Sequence, residues 1–224
     1  MLDLAVFVSG GGTNLQAIID QISSGRLNGV RIRCVIVSRS GTYAEKRAIH
    51  AGIPVQVIAR KSYPDVASYD HTLMAALSPY DIGLVVLAGF LSLLGPDFIA
   101  AYANRIINVH PSLVPAFCGP GFYGVKPHEA ALAYGVKVSG ATVHFVDSQY
   151  DSGPIILQQA VAVLPDDTPQ SLQSRIMLEA EQVILPQAIG LFAAGRIQVR
   201  GRTTRLADTG EHEKEQTCIE EKKG

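Results

Sequence analysis

Cysteine is scarce. Three residues in 224, Cys34, Cys118 and Cys218, are odd in number, far apart and without any C-x-x-C spacing, which excludes a disulfide framework and offers no zinc-ligand pattern. None has the setting that activates a thiolate nucleophile. Charge of one sign is also missing: 19 basic side chains face 20 acidic ones, for a formal net charge of −1, so no strong field draws the chain to a polyanion, and no nucleic-acid partner is expected. The opening apolar run, Leu4 to Val8, is far too short to span a bilayer and has no basic leader before it. No H-E-x-x-H and no internal repeat occur. These absences predict a cytoplasmic protein with no membrane partner and no metal; the sequence leaves monomer and homodimer both open.

What is present fits one α/β domain. With 47% hydrophobic and 17% charged residues, the chain is long enough for one sizeable core. Strand-like runs at Leu4 to Val8, Ile32 to Val37, Pro54 to Ile58, Ile82 to Leu87 and Ile106 to Val109 alternate with helical segments at Thr13 to Ser23, Tyr43 to Ala51, Asp65 to Leu77 and Pro96 to Ala103. The alternation predicts a Rossmann-like, mostly parallel sheet with helices on both faces. After His110 come a Pro/Gly-rich loop from Pro111 to Lys126, a short helix from His128 to Tyr134, and two strands, Val138 to Val146 and Pro154 to Val163. The link between those strands is too short for a parallel crossover, so they form an antiparallel C-terminal extension. A long helix opens at Thr168-Pro169 with Thr168 as N-cap, and Pro186 is expected to kink or divide it. The polar, charged stretch 202–224 predicts a disordered tail, leaving a single domain over 1–201.

Two stretches carry chemistry. Val8-Ser9-Gly10-Gly11-Gly12-Thr13-Asn14 is a strand, a glycine turn and a helix start, which aims backbone N–H groups and a helix dipole at one place suited to an anion. It is not a dinucleotide fingerprint, because Leu15 stands where the frame needs Gly, and Val37-Ser38-Arg39 lacks the acid that holds an NAD ribose. The turn reads as the cradle of a single phosphate, held by Gly12, Thr13 and Asn14; a tight turn without a ligand is the alternative. In Arg105-Ile106-Ile107-Asn108-Val109-His110-Pro111, Asn108 and His110 project the same way at the carboxyl end of a strand. An amide donor beside an imidazole suits a carbonyl under nucleophilic attack. The competing reading is a strand-end histidine bonded to solvent or backbone. Asp151 sits in a Gly-flanked loop; if it reaches His110 it should favour the imidazolium and raise the His110 pKa, and otherwise it is a surface carboxylate. His144 lies in an alternating run and reads as structural rather than catalytic, and His50, His71 and His212 as surface residues. Val114-Pro115 is a candidate cis bond.

Ser9-Gly10-Gly11-Gly12-Thr13-Asn14-Leu15-Gln16, Leu87-Ala88-Gly89-Phe90, Ile107-Asn108-Val109-His110-Pro111-Ser112-Leu113-Val114-Pro115, and Val143-His144-Phe145-Val146 followed by Asp151-Ser152-Gly153-Pro154 together resemble the phosphoribosylglycinamide formyltransferases. The likeness runs over about residues 2 to 200. It implies transfer of a formyl group from 10-formyltetrahydrofolate, as co-substrate, to the amine of glycinamide ribonucleotide in purine biosynthesis. The alternative is the related hydrolase that releases formate from the same folate; a chain that starts directly at its first strand, without an N-terminal regulatory domain, speaks against it. The resemblance implies Asn108, His110 and Asp151 as catalytic residues and Gly12, Thr13 and Asn14 as the phosphate cradle. It adds Glu181 as a ribonucleotide ligand, with the register between Glu179 and Glu181 open because the helix carries one extra residue. The folate pocket it implies is Leu91, Ser92, Leu93 and Leu94 with Asn108, Asp147, Ser148, Gln149, Tyr150 and Asp151. Residues 1–105 would then be the phosphate- and ribonucleotide-binding half, and 106–201 the catalytic and folate-binding half. Val66 and Ser92 stand where arginines are expected to meet the folate tail, and Phe117 to Gly124 is an insert, expected to leave the chemistry untouched.

Overall fold

The computed structural model describes residues 1–207; Cys218, His212 and the tail from 208 on lie outside the described residues. In chain order the elements are β1 Leu2–Val8, α1 Thr13–Ser23, β2 Val30–Val37, α2 Tyr43–His50, β3 Val55–Val57, α3 Val66–Leu77, β4 Leu84–Leu87, α4 Pro96–Ala101, β5 Ile106–His110, α5 Lys126–Tyr134, β6 Val138–Phe145, β7 Ile155–Ala162, α6 Pro169–Ile176, α7 Gln182–Ala193, β8 Ile197–Arg200 and β9 Thr203–Leu206. One seven-stranded sheet runs in the order β3-β2-β1-β4-β5-β6-β7. β1 to β5 pair in parallel, and β6 and β7 add on antiparallel, as the strand pattern predicts. The β6–β7 pairing carries a bulge between Val143 and His144, where β7 steps from Leu157 to Ile155 and leaves Ile156 over.

Both faces of the sheet are covered, which is why β4 and the Leu4 to Val8 stretch of β1 are apolar on every residue. Leu4, Val6 and Val8 of β1 enter the layer packed by α1, α2, α5, α6 and α7, while Ala5 and Phe7 enter the layer packed by α3 and α4. The strand order reverses between β1 and β4, so the turns after these two strands part and open a crevice at the carboxyl rim. Those turns are Gly10–Gly12 and Gly89–Phe90.

Two expectations change. The long helical run from Pro169 to Ala193 is interrupted not at Pro186 but by a π-helical turn, Met177–Glu181. A proline crowds the carbonyl four residues before it, here Gln182, so the disturbance falls at the end of the wide turn rather than at the proline itself. The run is long and apolar enough to cross a membrane, but Leu172, Ile176, Ala180, Ile184, Leu185, Ala188 and Ile189 pack into the core beside the sheet. The domain boundary expected at 201/202 also shifts. β9 pairs with β8 across it, Ala207 N–H donates to the Arg196 carbonyl at 2.8 Å, and the Thr204 hydroxyl donates to the Ile155 carbonyl at 2.6 Å.

Candidate active site

The glycine turn is shaped by what lies beneath it. Gly12 takes φ 70°, and a Cβ there would come within 2.8 Å of the Ala44 Cα, so only glycine lets α2 pack against the turn. Arg47 of α2 donates through Nε to the Gly11 carbonyl at 3.0 Å and through a terminal nitrogen to Gln16 Oε1 at 2.9 Å. Thr13 donates to the Met177 sulfur at 3.3 Å. Asn14 Nδ2 donates to Glu181 Oε2 at 2.7 Å, both side chains being 4% exposed. Glu179 is exposed on the outer side of the π turn, whereas Glu181 is buried in the cavity wall. One extra residue is what a π turn accommodates within a helix. Burial pushes the Glu181 carboxyl up to about 7 against the lowering effect of the Asn14 bond, while Asn14 Oδ1 is buried with no partner. An orphaned acceptor beside a poised carboxyl is a place for hydroxyl or amine donors. Gly12, Thr13, Asn14 and Glu181 all line one cavity of about 460 Å³.

At the far end of that cavity β5 presents Asn108 and His110 on one face, as the period of two predicts. β6 returns antiparallel with His144 opposite Asn108 and Thr142 opposite His110, so His144 joins the same face. Asp151, with φ 46°, swings its carboxylate between the two rings: Oδ2 lies 3.5 Å from His110 Nδ1 and Oδ1 lies 3.6 Å from His144 Nε2. Gly119 N–H donates to Asp151 Oδ2 at 2.9 Å, and Asn108 Nδ2 stands 3.2 Å from His144 Nε2 and 3.4 Å from Asp151 Oδ1. Backbone carbonyls assign the tautomers, since a carbonyl only accepts. His144 Nδ1 faces the Phe145 carbonyl at 2.8 Å and therefore carries hydrogen, leaving Nε2 of the neutral ring to accept from Asn108. His110 Nε2 donates to the Phe117 carbonyl at 3.0 Å, leaving Nδ1 toward Asp151.

The His110 pKa moves opposite to the expected direction. Burial of a ring only 5% exposed lowers it, outweighing the raising effects of Asp151 and the Phe117 carbonyl. For Asp151, burial alone would raise the carboxyl, but the His144 ring 3.6 Å away, the His110 ring and the Gly119 N–H together hold it below the ordinary range. His128, fully buried with both ring nitrogens unpartnered, is pushed down to about 4 by burial and then by its neighbour His110. The insert lies against the polar cluster: Phe117 and Gly119 bond His110 and Asp151, and Gly121, Phe122 and Tyr123 line the glycine-turn cavity. Positive φ at Gly119, Gly121 and Gly124 folds it there. Val114-Pro115 is cis.

A second cavity of about 390 Å³ opens beside the first and is lined by all ten residues expected for a folate pocket, from Leu91 to Leu94, Asn108, and Asp147 to Asp151. Its floor is built from α3: the buried Asp70 carboxylate accepts Gly95 N–H at 2.8 Å and Phe98 N–H at 3.1 Å, capping α4 from outside. Its other wall needs Gly153, where a Cβ would collide with the Phe145 carbonyl oxygen. Val66 and Ser92 both line it, so the positions expected to hold arginines give an apolar and a hydroxyl surface. Both cavities draw on residues before and after 105, so the expected division into halves does not separate them. Sequence reasoning set His144 aside as structural and did not single out Met177, Arg39 or the Phe117 and Gly119 backbone. Only strand register and loop placement bring these groups in.

Fold and site define a Rossmann-like α/β enzyme with two cavities meeting at one polar cluster. The formyl transferase family model matches residues 2–189, and the chain belongs to that family. A glycinamide ribonucleotide transformylase from Symbiobacterium toebii is similar at 44% identity and a TM-score of 0.87, with 93% of this chain and 95% of that one covered. The phosphoribosylglycinamide formyltransferase of Escherichia coli K12 is 35% identical over 198 residues, 88% of this chain and 90% of its own length. A formyltetrahydrofolate deformylase from Pseudomonas syringae pv. tomato shares the fold at a TM-score of 0.82 with 26% identity, over 92% of this chain and 66% of that one.

Proposed function

We propose that this chain transfers the formyl group of 10-formyltetrahydrofolate to the amine of glycinamide ribonucleotide, a step of purine biosynthesis. One observation carries the reading: the two cavities share Phe90, Leu91, Asn108, Tyr150 and Asp151, so groups able to hold an oxyanion and move a proton stand where two reactants meet. The ribonucleotide fits the glycine-turn side, its phosphate on Gly12, Thr13 and Asn14 and its sugar hydroxyls on Glu181 and Asn14. The folate fits the other side, against the backbone of Leu91 to Leu94 and Asp147 to Asp151.

In this arrangement the amine nitrogen bonds directly to the formyl carbon. One Asn108 hydrogen is held by His144 at 3.2 Å, and the other, only loosely held 3.4 Å from Asp151, turns to the oxyanion. His110 starts neutral and takes the amine proton at Nδ1, beside Asp151, which steadies the imidazolium. The same proton passes to the folate nitrogen as the carbon–nitrogen bond to it breaks. No covalent enzyme intermediate and no metal enter this sequence; folate is a co-substrate, the partners are small molecules, and the reducing cytoplasm suits the free Cys34 and Cys118.

The deformylase likeness supports a second reading, in which water replaces the amine. A water nucleophile leaves the glycine-turn cavity without a use, and this is why transfer is preferred. Spectroscopic measurement of folate product with and without glycinamide ribonucleotide separates the two. Transfer predicts product only with the ribonucleotide present; formate released at the same rate in its absence overturns it.

A further inference from the structure

Two arginines flank the glycine turn, and they are used differently. Arg47 is occupied from below, on the Gly11 carbonyl and Gln16. Arg39 stands on the open side, just beyond the carboxyl end of β2, exposed, and among the described residues its guanidinium has neither an ion pair nor a hydrogen bond. Its attachment point is nevertheless fixed. Ser38 N–H donates to the Val8 carbonyl at 3.2 Å, the Ser38 hydroxyl donates to Ser9 Oγ at 2.9 Å, and Ser9 Oγ accepts Leu91 N–H at 2.9 Å. The base of the side chain is anchored to both lips of the crevice while its tip is free.

Arg39 is the one arginine or lysine, among the described residues, in the wall of the 460 Å³ cavity, and again in the adjoining hollow of about 370 Å³ formed with Gly10, Gly11 and Tyr43. Electrostatics make that position matter. The two carboxylates lining the larger cavity, Asp151 and Glu181, oppose a phosphate, and turn N–H groups supply only partial charges, about +0.5 in sum at a helix start. A guanidinium offers a planar fork that matches phosphate oxygens. In doubly wound sheets the end of the second strand beside the glycine turn is where an acid meets a ribose hydroxyl or an arginine meets a phosphate; here it is the arginine.

We propose that Arg39 is a specificity-determining residue, whose guanidinium folds across the glycine turn onto the substrate's phosphate and makes the site select phosphorylated over unphosphorylated ribosides. This rests on the glycine-turn cavity being the ribonucleotide site. Arg39→Gln and Arg39→Lys, exposed substitutions that leave the core intact, test it with three probes: glycinamide ribonucleotide, its dephosphorylated riboside, and inorganic phosphate titrated by calorimetry. In Arg39→Gln the KM for the ribonucleotide should rise about 10- to 100-fold, the range for a hydrogen bond between charged groups. The loss should fall on KM rather than kcat, with the riboside unaffected, phosphate affinity down by a similar factor, and Arg39→Lys recovering part of each. Unchanged ribonucleotide KM in Arg39→Gln overturns the assignment. So does phosphate binding that is equal in wild type and variant, or absent from both. Should the wild type not turn over the ribonucleotide at all, the functional reading fails by itself, and the phosphate titration still decides the role of Arg39.

Discussion

Asp151 is bracketed by two imidazoles and a backbone N–H, an arrangement in which loss of its charge is felt by every neighbour. In Asp151→Asn the imidazolium of His110 loses its counter-charge while the glycine-turn cavity keeps its lining. Turnover should drop about 100- to 1,000-fold, the range for removing one preorganised electrostatic partner, with ribonucleotide affinity nearly unchanged; a variant that keeps most of its steady-state rate would show that His110 works without it. Glu181 gives the complementary pH signature. Its carboxyl titrates near 7 instead of 4.5, so below pH 7 it is protonated and a poorer acceptor for hydroxyl donors. The KM for ribonucleotide should climb as pH falls through 7, and Glu181→Gln should level that profile. Stability runs the other way. With the folded value above the unfolded one, the native state binds the extra proton, so the contribution is complete below pH 4.5 and lost by pH 7, a change of about 3 kcal/mol. Urea unfolding of wild type and Glu181→Gln across that window measures it. None of this was legible from residue types, because burial is a tertiary quantity, and for both His110 and Glu181 it is burial that sets the direction.

At the scale of elements, the glycine turn and α2 form a single unit. Gly12→Ala adds a methyl 2.8 Å from backbone at Ala44 while holding φ at 70°, a contact that cannot be relieved by turning a side chain. The expected loss is about 1 to 3 kcal/mol of stability, seen as a lower urea midpoint, together with a raised KM for ribonucleotide as the turn lifts from Arg47. The turn itself, the strands around it and the shared face of Asn108 and His110 could be read from periodicity, since each depends on residues next to one another in the chain. The π turn could not. Its apolar positions still repeat with roughly helical spacing; the family resemblance implies one extra residue in the helix, and packing against the sheet places it in the turn Met177–Glu181. His144 escaped for a related reason: its place beside Asn108 depends on the register of a strand whose partner is 36 residues away.

Across the whole molecule, the described chain closes on itself through the β8–β9 hairpin, which ties the end of α7 to β7 by the Thr204–Ile155 bond and the reciprocal bonds of Arg196 with Ala207. A chain ending at Ala207 keeps all of these bonds. One ending at Gly201 loses these bonds, worth about 2 kcal/mol together, and should melt roughly 4 to 8 °C lower; equal melting temperatures for the two truncations would show the hairpin to be ornamental to stability. The bulge in β6–β7 has a consequence of another kind. Ile156, the odd residue out, acts as a pawl: only the native alignment finds room for a spare side chain there, and it does so directly beside His144. A molecule that zipped these strands one step out of line would remain compact, yet Gln158 of β7, which holds the Val114 carbonyl and the Thr142 hydroxyl, would face the wrong layer. After refolding, catalytic output per mole of soluble protein therefore counts the fraction of chains in which that pawl has dropped home.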